Sequence, residues 1–90
     1  MLDRYKARGL TPVVAVELEF FLIDDSGRNL QVPISPRSGK RRKAAETMSV
    51  RALDQFDIFF TDLYDACEAM DIPADTAISE AGLGQFEINL

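Results

Sequence analysis

The 90-residue sequence predicts an α+β fold: a partial antiparallel sheet carrying glutamates on one face, with a long amphipathic helix packed on the other. Three observations lead there. Residues 13–23 read VVAVELEFFLI, dense in β-branched and aromatic side chains and bounded by Pro12 and Asp24-Asp25-Ser26-Gly27, as a strand is. Leu53, Phe56, Phe60, Leu63, Cys67 and Met70 recur at spacings of 3, 4, 3, 4 and 3, which lays one apolar stripe along a helix of about five turns. Residues 76–80 and 85–90 form two short strands about Ala81-Gly82-Leu83-Gly84, whose glycines suit a tight turn.

Taken in chain order, Leu2, Tyr5 and Leu10 flank a charged stretch that reads as the end of a helix, with Gly9 past its C-terminus and Pro12 just beyond. Period two then divides the first strand into an apolar face, Val14, Val16, Leu18, Phe20 and Leu22, and a second face that includes Glu17 and Glu19. Residues 24–48 lack periodicity and form a long loop, either a mobile flap or a surface excursion. Ser49 suits the N-cap of the long helix, and Pro73 stops it shortly after Asp71. In the last strand Phe86, Ile88 and Leu90 share an apolar face, while Gln85, Glu87 and Asn89 share a polar one.

Composition narrows the function classes. With 47% apolar and 28% charged residues the chain is globular rather than disordered. Cys67 has no second cysteine to pair with, and without histidine the usual small zinc sites are excluded, so a reducing, cytoplasmic setting is expected. No secretory leader is evident at the N-terminus, and no apolar run nears the roughly 18–20 residues of a membrane span. Residues 1–45 carry nine bases and five acids, whereas residues 46–90 carry ten acids and only Arg51 as a base. Nucleic-acid binding by the whole chain is therefore disfavoured.

Two carboxylate pairs are the candidate chemistry. Glu17 and Glu19, two apart on a strand, project to one otherwise apolar face, where burial is costly unless cations satisfy them; the alternative is that this face is simply wet. If the hairpin is symmetric about the Gly82–Leu83 bond, Glu80 lies opposite Gln85 and Ile78 opposite Glu87, which makes Glu80 and Glu87 diagonal neighbours; an odd loop would break that parity. Four glutamates without histidine select a hard divalent ion, Mg²⁺ or Mn²⁺, of the kind that neutralises a transferring phosphoryl group. Gly39-Lys40 is not a phosphate loop, because Ile34 stands where its first glycine belongs. The basic run from Arg37 to Lys43 reads first as a solvated loop, with contact to a phosphate or an acidic partner, or a localisation signal, as alternatives, and the acidic side of the helix reads as a solubilising face.

The segment Thr11 to Leu22 resembles the E-x-E-F-F-L strand of glutamine synthetases, and Ser79 to Leu90 resembles that family's E-x-G-x-G-Q-x-E hairpin. Gln85 to Leu90 and the link from Thr47 to Met70 look most like its γ-glutamylpolyamine synthetase branch. The resemblance implies a ligase that activates glutamate with ATP as γ-glutamyl phosphate and captures it with ammonia or an amine, including a polyamine. It implies further that Glu19, Glu80 and Glu87 hold one divalent ion, that Glu17 ligates a second ion on the ATP phosphates, and that Glu80 lies near the incoming amine as a catalytic group. Residues 1–90 would correspond to the N-terminal part of the catalytic domain, without the family's β-grasp domain or the rest of the catalytic domain, and the parent would be a ring-forming homo-oligomer. Family members carry a metal-binding histidine and substrate-binding arginines after the hairpin, so the 90 residues alone are expected to be inactive. Two other readings stand beside this one: a non-catalytic module presenting its acidic helix to a basic partner, and, last, a carboxylate-pair glycosidase, which needs two carboxyl groups about 5–9 Å apart.

Overall fold

The N-terminal residues form the short helix α1 (Leu2–Lys6). Gly9, at φ 67°, lets Leu10 N–H reach the Tyr5 carbonyl and Gly9 N–H reach that of Lys6, so the helix closes in a Schellman motif at the glycine that the sequence marks. The computed structural model describes residues 1–90, and α1 packs against no other element.

Strand β1 (Glu17–Phe21) is shorter than the predicted run from Val13 to Ile23. Its partner β3 (Gln85–Asn89) explains the difference: Val16 and Leu90 exchange the last pair of backbone hydrogen bonds, and residues 13–15 have no strand beside them. An extended segment without a ladder is only an arm, whatever its β propensity. With β2 (Thr76–Ser79) the sheet has the order β1-β3-β2, antiparallel throughout.

The predicted five-turn helix is two helices, α2 (Val50–Asp54) and α3 (Asp57–Ala69). At the junction Gln55 N–H still donates to the Arg51 carbonyl, but Phe56 N–H turns to Leu53 and Phe56 itself sits at φ −128°. The loop before the helices causes the break: the Ser35 hydroxyl donates to the freed Gln55 carbonyl at 2.9 Å, and Arg37 Nη1 reaches Asp54 and Asp57, one on each side, at 3.0 Å. A side chain inserted into the ladder is a standard origin of such a kink. Ser49 caps α2 as expected, its hydroxyl accepting from Ala52 N–H at 3.2 Å. α3 ends at Ala69 with Met70 as its C-cap, and just beyond it Asp71, at φ 56°, and Ile72 bond back through their N–H groups to Glu68 and Cys67, with Pro73 following.

The apolar stripe survives the break for the most part. Phe56, Phe60 and Cys67 are buried and Leu53 and Leu63 half-buried, whereas Met70 turns outward at the C-cap. Phe86, wholly buried at the sheet centre, meets Phe60 edge-on at 5.2 Å and Phe56 at 5.9 Å between ring centroids. Phe20 and Phe59 extend the cluster. The helices thus cover the face that carries Phe20, Phe86 and Ala77.

The long loop is a surface excursion, pinned to the body. Val32 joins the core and Ser35 is only 1% exposed, while bridges pair Asp24 with Gln31 and Ile34 with Arg41. Arg41 ties the two bridges together, donating to the Asp24 carboxylate at 2.9 Å and to the Val32 carbonyl. Hydrogen bonds from Ser26 first, and from Arg41 next, lower the pKa of Asp24 from 3.8 to about 2. No helix is long and apolar enough to cross a membrane.

Candidate metal centre

Strand register positions the four glutamates. Glu19 stands directly opposite Glu87, Glu17 opposite Asn89, and Ile78 opposite Glu87 on the other side of β3. The Glu80 N–H bonds to the Gln85 carbonyl at 3.0 Å, so the hairpin keeps the even parity that puts Glu80 diagonal to Glu87. Because Val16 and Leu90 exchange both backbone hydrogen bonds, the alternation makes Glu19 and Glu87 a non-hydrogen-bonded pair, the kind in which side chains approach more closely. All four positions fall on the face opposite Phe20 and Phe86 by period two.

Burial differs along that face. Glu17 and Glu19 are exposed, as in the wet-face reading, and Glu80 is half-buried. Glu87, on the central strand, is only 7% exposed. None of the four takes part in an ion pair; every such contact belongs to Arg37, Arg41 or Arg42. Neutral donors hold three of them instead. Gln85 Nε2 donates to Glu19 at 2.7 Å, Asn89 Nδ2 to Glu87 at 3.1 Å, and Ala81 N–H to Glu80 at 3.3 Å. In these side-chain positions no three acidic groups gather into a cluster that could hold a metal ion. The backbone register brings the positions together, and the carboxylates themselves remain apart.

The donor set nonetheless fits a hard divalent ion. A nearly buried carboxylate facing a second carboxylate, with only amides for company, is an uncompensated negative site, and oxygen donors without imidazole or thiolate suit Mg²⁺ or Mn²⁺.

The turn between β2 and β3 serves this face. Gly82 N–H donates to Gln85 Oε1 at 2.9 Å, leaving the other end of that amide on Glu19. A Cβ on Gly82 would sit 2.6 Å from Gln85 Oε1 and 2.9 Å from the Phe21 ring, so any side chain here would displace the Gln85 amide or the Phe21 ring. Gln85 and Asn89 are the residues that the sequence reading left without a role; their signal was the i ± 2 spacing around Glu87 on one strand face. Ser79, just before Glu80, is also buried. Its hydroxyl accepts from Ser49 N–H and donates to the Glu46 carbonyl, each at 2.7 Å, tying β2 to the end of the long loop.

With two carboxylate pairs on one face of a sheet and helices on the other, the chain matches the family description "Glutamine synthetase, catalytic domain" over residues 1–90, and it belongs to that family. It is similar to the gamma-glutamylputrescine synthetase PuuA of Escherichia coli (strain K12), with 44% identity over 91 residues covering 98% of this chain. That relative comes from the branch that the hairpin resembles, and the chain spans 19% of its length. No solved structure matches the chain.

Proposed function

We propose that this chain supplies the metal-binding strands of a ligase that joins the γ-carboxyl of glutamate to an amine, using ATP and passing through γ-glutamyl phosphate. The observation that carries the reading is the Glu19–Glu87 pair, set face to face across two antiparallel strands, with Glu87 nearly buried and no cation beside either. Glu19, Glu80 and Glu87 are the ligands of one divalent ion and Glu17 a ligand of a second. Bound Mg²⁺ or Mn²⁺ supplies charge neutralisation for phosphoryl transfer and for the acyl phosphate. Glu80, just after β2 and beside the turn, holds the incoming amine and takes its proton in this reading. The name of the 44%-identical relative favours a diamine such as putrescine as the acceptor. The complete enzyme is a cytoplasmic ring of identical subunits in this reading. The docking-module alternative is left with Asp65 and Glu68, because Arg37 already spans the other two acids of that face, Asp54 and Asp57.

The test is a Mn²⁺ titration of the purified chain followed by its melting temperature. Saturating metal at about 100 times Kd adds about 2.7 kcal/mol, and each kcal/mol is worth about 4–8 °C in a domain of this size. The shift should vanish in Glu19→Gln and in Glu87→Gln. A melt indifferent to Mn²⁺, or a shift that survives both substitutions, refutes the metal assignment.

A further inference from the structure

Half of the chain's ten basic residues line one concavity. Lys40, Arg41, Arg42 and Lys43 of the long loop meet Arg51 of α2 around a cavity of about 400 Å³ with a single carboxylate, Glu46, in its wall. Arg51 is the one base in residues 46–90, so the fold collects a cation from the acidic half of an acidic chain and adds it to those of the basic half. None of the four glutamates of the sheet lines this cavity.

Internal pairing does not account for the charge. Arg41 is committed to Asp24 and the Val32 carbonyl, and Arg42, whose side chain is only 14% exposed, comes no closer than 4.0 Å to Glu46. Lys40, Lys43 and Arg51 have no carboxylate partner. All three are exposed to solvent. The long loop is pinned by buried Val32 and Ser35 and by the Ile34–Arg41 bridge, so the cations stay around one space.

We infer that this basin is a binding site for a compact anion carrying two or more linked phosphate groups. The lysine and arginine side chains that line this space supply the charge and the donors that phosphate oxygens need. The one apolar lining residue is Ala44, and no aromatic ring offers a base a surface to stack on, so the phosphates rather than an attached nucleoside are recognised. The space exceeds that of a single phosphate group. Inorganic oligophosphate and the tail of a nucleotide share this chemistry.

Calorimetric titration of the 90-residue chain with tripolyphosphate, in EDTA so that the glutamate face stays metal-free, tests the site. Saturable one-to-one binding that weakens as salt rises is expected, with orthophosphate at least about tenfold weaker. Lys40→Glu combined with Lys43→Glu should weaken tripolyphosphate binding by about tenfold or more, whereas Arg4→Glu with Lys6→Glu, the same change of net charge placed on α1, should leave it within about twofold. Arg51→Gln, a milder change on a different element, should also weaken it, and circular dichroism verifies that each variant is folded. ATP binding as tripolyphosphate does places the recognition in the phosphates. The inference fails if no saturable binding occurs, if both double variants lose affinity equally, or if ATP binds and tripolyphosphate does not.

Discussion

Gln85 uses both ends of its amide, one to accept from the turn at Gly82 and one to donate to Glu19, and this makes it the residue that orients a candidate ligand without being one. Partners of this kind fix a ligand's direction, and losing one typically costs about 10–100-fold in metal affinity. Gln85→Leu should therefore weaken the Mn²⁺ response by about that factor while the apo chain keeps its far-ultraviolet dichroism. An unchanged Mn²⁺ affinity would show the Gln85–Glu19 contact to be incidental. Asp24 acts at the same scale on stability. Its folded-state pKa lies below the unfolded value, so its contribution is complete above pH 3.8 and is lost as pH falls through about 2. Asp24→Asn should remove that part of the acid limb in a stability-versus-pH series, leaving the remaining carboxylates to set the rest.

At the scale of elements, the break between α2 and α3 decides how the helical layer meets the sheet. Two short helices joined at Phe56 let that ring turn edge-on to Phe86, while Phe59 and Phe60 reach Phe20 and Phe86 from the next turn. The break depends on Ser35, which satisfies the Gln55 carbonyl and also accepts from Ser38 N–H at 3.0 Å. Ser35→Ala leaves both groups short of a partner in a buried place and should cost about 1–3 kcal/mol, read as a lower urea midpoint with an unchanged slope. The apolar periodicity runs straight through the break, which is why the sequence predicts one helix: a heptad-like stripe reports which side is buried, not whether the backbone beneath it is continuous. The interruption comes from residues 35 and 37, about twenty positions away in the chain.

For the whole molecule, the proportion of covered surface is small. Eleven of 90 residues are buried, and the radius of gyration is 17.1 Å, against about 12 Å for a compact chain of this length. The excess comes with the α1 arm and with residues 13–16, where Val13 is 93% and Val14 82% exposed. β1 is also an edge of the sheet, with its outer hydrogen-bonding groups unpaired and Leu18 and Phe21 more than half exposed. Apolar edge strands invite pairing with other chains. The isolated 90 residues should therefore self-associate, visible in sedimentation velocity as species heavier than 10.0 kDa that increase with concentration. A single sharp monomer boundary with a cooperative melt would contradict this.

The period-two alternation, the paired glycines about Leu83 and the αL glycine at position 9 are local facts, and from them the strands and the outer helix ends were legible, whereas the hairpin parity was legible only on the condition of an even turn. The observed register, with Glu80 opposite Gln85, meets that condition and puts Glu80 and Glu87 on one face. What depends on contacts between distant segments was not legible. The β1–β3 register that sets Glu19 against Glu87, the burial of Glu87, the division of the helix by Ser35 and Arg37, and the meeting of Arg51 with the basic loop each join residues tens of positions apart. Local propensity acts over a few residues, whereas these pairings are chosen by which apolar faces can cover one another around Phe86. The sequence by itself determined which segments are strand and which are helix, their faces and the carboxylate chemistry available; only the tertiary structure decided where β1 ends, that the helix divides, which carboxylates face each other and which cations share a cavity, because side-chain proximity across the chain is a product of packing.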